Sequence, residues 1–500
     1  MEPTASLVAM TANPNGSRPP GSNASKHDSF FKSVQWSADG TTLFTSSYSN
    51  RICTFVVPHD LLEPRDAPLE LAAHSTTALP EPTNVLAPCP YFDLGLDGTQ
   101  AFLVAPRDHP IQLRHAFGPS PDDGDGDGDG RGLGRAPDLP PIANFHLIKR
   151  ETEAYLPVTS LVWPYPGTHF VVGTANLIAL YDVSRPDNPA ARPQPVASIP
   201  TIPSTRHLAK GGGVGMRGTV SALAVAAAPA SDARGHHAAD GLLAAGTWTR
   251  HMGLYDVGRS NRCVATWSVA GAAASAFGGV DVGGKGVMQA AWSPCGRYLL
   301  VNERCSTGLL VYDVRYARRL LAVLEGRDAM TNQRLSCDVL PGLERVGGFE
   351  VWAGTAKGGA VVYEGVGNSE GRVEPSWGWQ AHGSAVGATA VHPRGSVVAT
   401  CEGSWRFREE EDDDDDDEEE EAESEDSEES SGSESSEDES ESDASDDIED
   451  GSPRSNQPQE DVEEPGPEPT HPQAAVKKAA RVKKPKVYLE ETSMKIWSIT

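Results

Sequence analysis

The sequence predicts an all-β protein folded as a seven-bladed β-propeller, and three observations support this prediction. A strand–turn–strand–turn–strand unit, clearest in residues 287–314, recurs along the chain. Glycine and proline are frequent, with 50 and 39 residues, as expected for many short strands joined by turns. No segment shows a long helical period. One such unit leaves two apolar faces uncovered, so it predicts neighbouring copies that cover them.

The clearest unit has predicted strands at 288–292, 298–301 and 309–312. The turn at 293–296 reads Ser-Pro-Cys-Gly, and its proline and glycine supply the backbone angles of a tight reversal. The third strand ends with Tyr312 and Asp313. A third strand that ends in an aromatic residue and an aspartate is typical of a WD-repeat blade.

Copies of this unit predict seven blades. The ending recurs at Tyr181-Asp182 and Tyr255-Asp256 and weakens to Tyr363-Glu364 and Trp497-Ser498. The units fall at 30–57, 91–117, 158–183, 219–257, 287–314, 331–364, and 386–401 with 493–499. Their spacing exceeds the roughly 40–45 residues of a compact WD unit, so the blades carry insertions. Stretches 60–85, 118–145 and 185–215, rich in Pro, Gly, Asp and Ser, are predicted to be loops.

The charge is concentrated in a single tract. The chain has a net charge of −29, and residues 409–450 hold 28 acidic residues and no basic one, which leaves −1 for the rest. Such a tract repels itself and has little apolar surface to bury, so we expect it to be disordered. Ser436 and Ser440 stand beside acidic residues and are candidate phosphorylation sites.

The predicted organisation follows from the position of this tract. It comprises an N-terminal segment (1–29), a propeller (30–405), a disordered acidic and serine-rich insertion (406–491) and the last strand of blade 7 (492–500). The insertion falls between the second and third strands of blade 7. Because no sequence follows that third strand, we expect the apolar run 6–11 to supply the outer strand and remove a free edge.

Sequence motifs argue against an enzyme and indicate no metal and no cofactor. Residues 279–286 approach a phosphate loop, but Gly286 follows Lys285 where a serine or threonine is required. No G-x-S-x-G or H-E-x-x-H motif occurs.

The seven cysteines form no C-x-x-C pair, which favours reduced thiols in an intracellular protein. No secretory signal or apolar run of about 18 residues is present, so we expect no membrane partner. The expected state is a monomeric scaffold.

The turns between second and third strands all open on one face of a propeller. Six of the seven blades place a cation there and three add an aromatic ring; the candidate RNA-binding residues are Tyr48, Arg51, Arg107, Trp248, Arg250, Arg304, Lys357 and Trp405. Cations bind phosphates and rings stack on unpaired bases, as in single-stranded RNA recognition. The acidic tract leaves the same face. It either competes with RNA, in which case its excision tightens RNA binding, or holds a basic protein there.

A basic cluster follows the acidic tract. Its members are Lys477, Lys478, Arg481, Lys483, Lys484 and Lys486. A cluster of this kind is a candidate nuclear import signal or nucleic-acid patch. The alternative is a basic counterweight that folds back on the acidic tract.

Residues 31–36 with Asp39 and Gly40, and the run Thr331-Asn332-Gln333-Arg334, resemble the telomerase Cajal body protein family of WD-repeat proteins. The resemblance implies a nuclear scaffold that binds small Cajal body RNAs and their RNP proteins, with links to telomerase RNA, guide RNAs or spliceosomal RNPs. It adds Arg334 to the candidate RNA contacts, although 331–334 is equally interpretable as a structural turn. The alternative function is a nuclear protein–protein adaptor whose acidic insertion binds histones or other basic proteins.

Overall fold

The structure is a computed structural model that describes residues 3–11, 29–118, 139–149, 151–185, 195–203, 215–226, 241–257, 260–277, 279, 281–316, 319–342, 346–408, 486–489 and 492–500. Its sheets form the seven blades of a β-propeller. The described α-helix, α1 (Val269–Ser275), links blades 4 and 5. Its N-terminus is capped by the Ser268 hydroxyl, which accepts a hydrogen bond from the backbone of Gly271.

Blades 1 to 6 are each built on a four-stranded antiparallel sheet with the first strand innermost. The strands are numbered in chain order. Blade 1 contains β2 (Phe31–Trp36), β3 (Thr42–Ser47), β4 (Arg51–Val56) and β6 (Ser75–Ala78), and blade 2 contains β7 (Leu86–Pro88), β8 (Ala101–Val104), β9 (Ile111–His115) and β10 (Ala143–Phe145). Blade 3 contains β11 (Ser160–Val162), β12 (His169–Thr174), β13 (Leu177–Asp182) and β14 (Ala197–Pro200). Blade 4 contains β15 (Val220–Val225), β16 (Leu242–Thr247), β17 (His251–Asp256) and β18 (Arg262–Ser268), and blade 5 contains β19 (Val287–Trp292), β20 (Tyr298–Glu303), β21 (Leu309–Asp313) and β22 (Leu320–Leu324). Blade 6 contains β23 (Cys337–Pro341), β24 (Phe349–Gly354), β25 (Gly359–Val366) and β27 (Trp377–Gln380).

Blade 7 combines segments from both ends of the described chain. Its inner strands are β28 (Val386–Val391), β29 (Val397–Glu402) and β32 (Met494–Ile499), and its outer strand is β1 (Ala5–Thr11). The two terminal strands are antiparallel, with Ala5 opposite Ile499 and Met10 opposite Lys495. The Met494 backbone N–H also donates to the Thr11 hydroxyl at 3.0 Å. Since β2 contacts β28 and β29, blade 1 follows blade 7 directly and the ring closes.

Two blades carry a fifth strand supplied by the next blade. Strand β5 (Leu69–Leu71), from the loop between β4 and β6, pairs in parallel with β1 of blade 7. Strand β26 (Gly371–Val373), from the loop between β25 and β27, pairs in parallel with β22 of blade 5. Each added strand covers an edge that would otherwise expose unpaired backbone groups.

The structure differs from the predicted organisation in the outer strands, in the start of blade 2 and at the ends of the insertion. The stretches predicted as loops contain the fourth strands of blades 1 to 3, because an outer strand with one exposed face lacks the repeated apolar motif. The predicted start of blade 2 at residue 91 is too late, since Leu86–Pro88 is its first strand. The predicted insertion 406–491 overlaps a two-stranded ladder, β30 (Trp405–Arg408) with β31 (Lys486–Leu489). Apart from 406–408 and 486–489, that insertion lies outside the described residues.

The tyrosine of each aromatic–acidic ending lies in the core. Tyr181, Tyr255, Tyr312 and Tyr363 are all at most 1% exposed. Burial raises the pKa of each phenol above its usual range. The Tyr181 hydroxyl donates to the His146 carbonyl and that of Tyr363 to the Glu325 carbonyl. The recurring ring therefore fills the core, which explains why a tyrosine recurs in the third strands of blades 3 to 6.

A buried polar network joins the strands on either side of the insertion in blade 7. The His382 Nε2 lies 2.7 Å from the Thr400 hydroxyl, which also accepts from the Trp497 indole at 2.9 Å. The His382 Nδ1 lies 3.1 Å from the Glu402 carboxylate, which accepts from the Ser493 hydroxyl. Burial alone would raise the pKa of Glu402, but hydrogen bonding to His382 and Ser493 lowers it. The network thus ties β29 to β32 across the insertion.

Candidate anion-binding site on the upper face

The turns between second and third strands lie on one face of the propeller, named here the upper face. The antiparallel order of each blade also places the segment that enters its first strand on this face. The structure puts the predicted residues as follows: Tyr48 and Arg51 at β3–β4, Arg107 at β8–β9, Trp248 and Arg250 at β16–β17, Arg304 at β20–β21, Lys357 at β24–β25, Arg334 before β23, and Trp405 in β30.

Arg250 is engaged within the fold. Its guanidinium donates to both oxygens of Glu303, at 2.8 and 3.0 Å, and to the Gly283 carbonyl at 2.8 Å. The Glu303 side chain is 1% exposed, and its hydrogen bond raises the pKa of Arg250. Because a buried carboxylate requires a partner, this pair ties blade 4 to blade 5. The charge of Arg250 is largely neutralised by Glu303, so Arg250 is a weaker candidate for an RNA contact.

Lys357 and Arg107 are exposed cations with nearby carboxylates. The Lys357 ammonium lies 2.8 Å from Asp328, whose hydrogen bond raises the pKa of the lysine. Arg107 Nε lies 3.6 Å from the neighbouring Asp108. Exposed pairs of this kind contribute little energy, so both cations remain accessible to a competing anion.

Three further cations, Lys32, Arg304 and Arg334, form what we call the cation cluster. Burial, followed by the charge of Arg334, lowers the pKa of Lys32 from 10.5 to about 8. Burial and then the charge of Arg304 lower the pKa of Arg334 from 12.5 to about 10. None of the three belongs to an ion pair among the described residues. Partly buried cations that repel one another favour the binding of an anion.

Each side of the cation cluster carries an exposed aromatic ring. The Lys32 ammonium lies 5.3 Å from the centre of the Tyr48 ring, and the Arg304 guanidinium 5.4 Å from that of Trp248. The two rings are 48% and 50% exposed. The buried Arg304 Nε has no hydrogen-bond partner in the described part of the chain. The cluster thus offers charge and flat apolar surface side by side.

The segment 331–334 links three other blades. The Gln333 side chain donates to the Gly403 carbonyl of blade 7 at 2.7 Å, and Arg334 donates to the Asn84 carbonyl beside blade 2 at 3.3 Å. Asn332 accepts from the Cys305 thiol of blade 5. These contacts give the segment a structural task, and they also hold the Arg334 guanidinium in the cation cluster.

Lys32 is the residue that sequence reasoning missed. It belongs to the first strand of blade 1, and its ammonium donates to the Thr83 carbonyl beside blade 2 at 3.0 Å. The cations predicted from sequence lie in the turns between second and third strands, whereas Lys32 lies on an inner strand. The sequence assigns residues 31–36 to the first strand of blade 1 and to the family resemblance, and neither pattern indicates that Lys32 joins a cluster of cations.

Several predicted sites fall outside the described residues. These are Ser436 and Ser440, and Lys477, Lys478, Arg481, Lys483 and Lys484 of the basic cluster. Lys486 begins β31, and Trp405 begins the strand β30 that pairs with it. The phosphorylation and import assignments therefore stay predictions.

The described residues include no group of three or more His, Cys, Asp or Glu side chains that could hold a metal ion. In the same part of the chain no helix has both the length and the apolar character needed to cross a membrane.

Fold and sequence together define a WD-repeat-like seven-bladed propeller, an architecture that supports a non-enzymatic adaptor role. Among proteins of known identity, the chain resembles "Guanine nucleotide-binding protein negative regulator 1" of Schizosaccharomyces pombe, with 25% identity over 313 residues. The match covers 62% of this chain and 65% of the relative, just under two thirds of the latter's length. No family model matches the chain. The resemblance to the telomerase Cajal body family is not confirmed by these comparisons.

Proposed function

We propose that this protein is a non-enzymatic scaffold that holds a single-stranded stretch of a small nuclear RNA on its upper face. The observation that carries the proposal is the cation cluster of Lys32, Arg304 and Arg334, flanked by the rings of Tyr48 and Trp248. The cations suit phosphates and the rings suit unpaired bases. Under this proposal the partners are a small nuclear or Cajal body RNA and its RNP proteins, and the basic cluster directs the chain to the nucleus.

The test is the binding of labelled single-stranded RNA, measured by fluorescence anisotropy over a range of salt concentrations. Arg304→Ala should weaken binding and reduce the slope of log affinity against log salt by about 0.7, the value for one lost phosphate contact on a single strand. The matched control is Arg297→Ala, an exposed arginine of the same blade in the turn on the opposite face. Wild-type protein that melts cooperatively yet binds no RNA would refute the proposal.

A protein–protein adaptor is the second candidate, and the match to the S. pombe protein favours it. The name of that relative refers to negative regulation of a guanine nucleotide-binding protein. In this case a purified guanine nucleotide-binding protein, and not RNA, should bind in a direct titration. In a third binding mode, the acidic insertion holds histones or other basic proteins. This mode predicts that the protein no longer binds histones when residues 409–450 are excised.

A further inference from the structure

A cavity of about 240 Å³ lies in the cleft between blades 7 and 1. Its blade 7 side is formed by the ends of β1 and β5, at Thr11 and Leu71, and blade 1 forms the rest. Drug-sized ligands need pockets of about 300–1,000 Å³, so this cavity is suited to one small group.

The walls combine apolar rings with hydroxyl groups. Phe31 and Phe55 line the apolar part, while Ser29, Ser47, Ser49 and Thr76 contribute hydroxyls. The Ser47 and Ser49 hydroxyls lie 3.0 Å apart, and the Ser29 hydroxyl accepts from the Ser49 backbone N–H. Because a hydroxyl has one donor and two acceptor lone pairs, it can still bond the edge of a ligand after making one such contact. Among the described residues that line the cavity, Arg51 is the one cation. One cation among hydroxyls and rings fits a neutral heteroaromatic group better than it fits a phosphate.

A path of rings and cations connects the cavity with the cation cluster. Phe30 lines the cavity, and its ring centre lies 4.5 Å from that of Tyr48. The Lys32 ammonium lies 5.3 Å from the centre of the Tyr48 ring, and Lys32 is close enough to Arg334 for the charge of the arginine to lower the pKa of the lysine. The rings of Phe30 and Tyr48 therefore connect the cavity lining to Lys32 of the cation cluster.

We infer that this cavity takes one unpaired nucleobase of the RNA strand, with Arg51 beside its backbone; the inference rests on the proposed RNA-binding function. A single-stranded base leaves its stack at low energetic cost, and its hydrogen-bonding edge is free to meet the hydroxyls. The cavity accordingly adds selectivity for one position of the strand, whereas the cation cluster supplies affinity for the backbone.

The test fills the cavity from its rim. Ala73 is exposed and lines the mouth, so Ala73→Trp occupies the space without burying a charge. Ala38→Trp, an exposed alanine in the opposite-face turn of the same blade, is the matched control. The probes are single-stranded RNAs of about 12 nucleotides that bind wild-type protein, each with one abasic position moved along the strand.

One abasic position should weaken wild-type binding between about fivefold and 150-fold. Ala73→Trp should lose a similar factor on intact RNA and become insensitive to that same position, while Ala38→Trp behaves as wild type. If intact RNA binds Ala73→Trp as tightly as Ala38→Trp, or if no abasic position loses its effect in Ala73→Trp, the base site is refuted and the proposed function stands. If folded wild-type protein binds none of the intact RNAs, the proposed function fails and the base site with it.

Discussion

Replacing Lys32 with methionine should stabilise the propeller at neutral pH and weaken its binding of RNA. Burial and the charge of Arg334 lower the pKa of Lys32 from 10.5 to about 8. Below pH 8 the lysine is charged in both folded and unfolded chains, so the folded state carries the full cost of holding the charge. Between pH 8 and 10.5 the unfolded chain binds the extra proton, and wild-type stability rises with pH.

The lowering of this pKa corresponds to at most about 3.4 kcal/mol at pH 7. The ammonium is only partly buried, so solvent screening reduces the expected gain for Lys32→Met to about 1–2 kcal/mol. Methionine keeps a long flexible side chain that fills the same space without the charge. Lys32→Met should therefore gain stability but bind RNA less tightly, a trade-off that is common for residues kept for function.

The assay is urea denaturation of wild type and Lys32→Met between pH 7 and 10.5. The difference in the free energy of unfolding should be largest below pH 8 and shrink to a constant offset by pH 10.5. That offset includes the lost hydrogen bond to the Thr83 carbonyl. Lys149→Met, at an exposed position, controls for the removal of one positive charge. A difference that stays the same at every pH would refute the reasoning.

Two further predictions concern stability. Arg250→Met leaves the buried carboxylate of Glu303 unpaired and should lower the free energy of unfolding by about 3–5 kcal/mol. Adding Glu303→Gln to this variant should restore part of that loss. A single variant with near-neutral stability would contradict the structural role of the pair. Deleting residues 1–14 removes β1 and exposes the edge of β32, so the melting temperature should fall by several degrees; an unchanged melting curve would contradict closure by this strand.

The inner three strands of most blades were predictable because their residues serve a repeated purpose. The Tyr181 and Tyr312 rings fill equivalent places in the core, so a tyrosine followed by an acidic residue recurs in the third strands of blades 3 to 6. The outer strands, such as β6, lie at the sheet edge with side chains that are only partly buried, and their sequences are less constrained. The fifth strands β5 and β26 depend on the next blade's position, which no local pattern encodes.

The candidate site was predictable as a face but not as a cluster. Turn positions follow from topology, so Arg304 and Trp248 could be placed on the upper face from sequence. Which cations are neutralised depends on partners from other blades, as with Arg250 and Glu303, 53 positions apart. The perturbed Lys32 depends on Arg334, which comes from the segment before blade 6, and such long-range proximity appears only in the folded chain.

The pairing of β1 with β32 also determines the order of events during synthesis. Thr11 and Met494 are 483 positions apart, so this ladder has one of the longest sequence separations that the fold allows. Until β32 leaves the ribosome, β29 presents an unpaired edge and the ring stays open. At about 5–20 residues per second, translating residues 409–485 adds on the order of ten seconds to that interval. The insertion in blade 7 therefore also delays assembly, because it lengthens the interval in which the edge of β29 is unpaired.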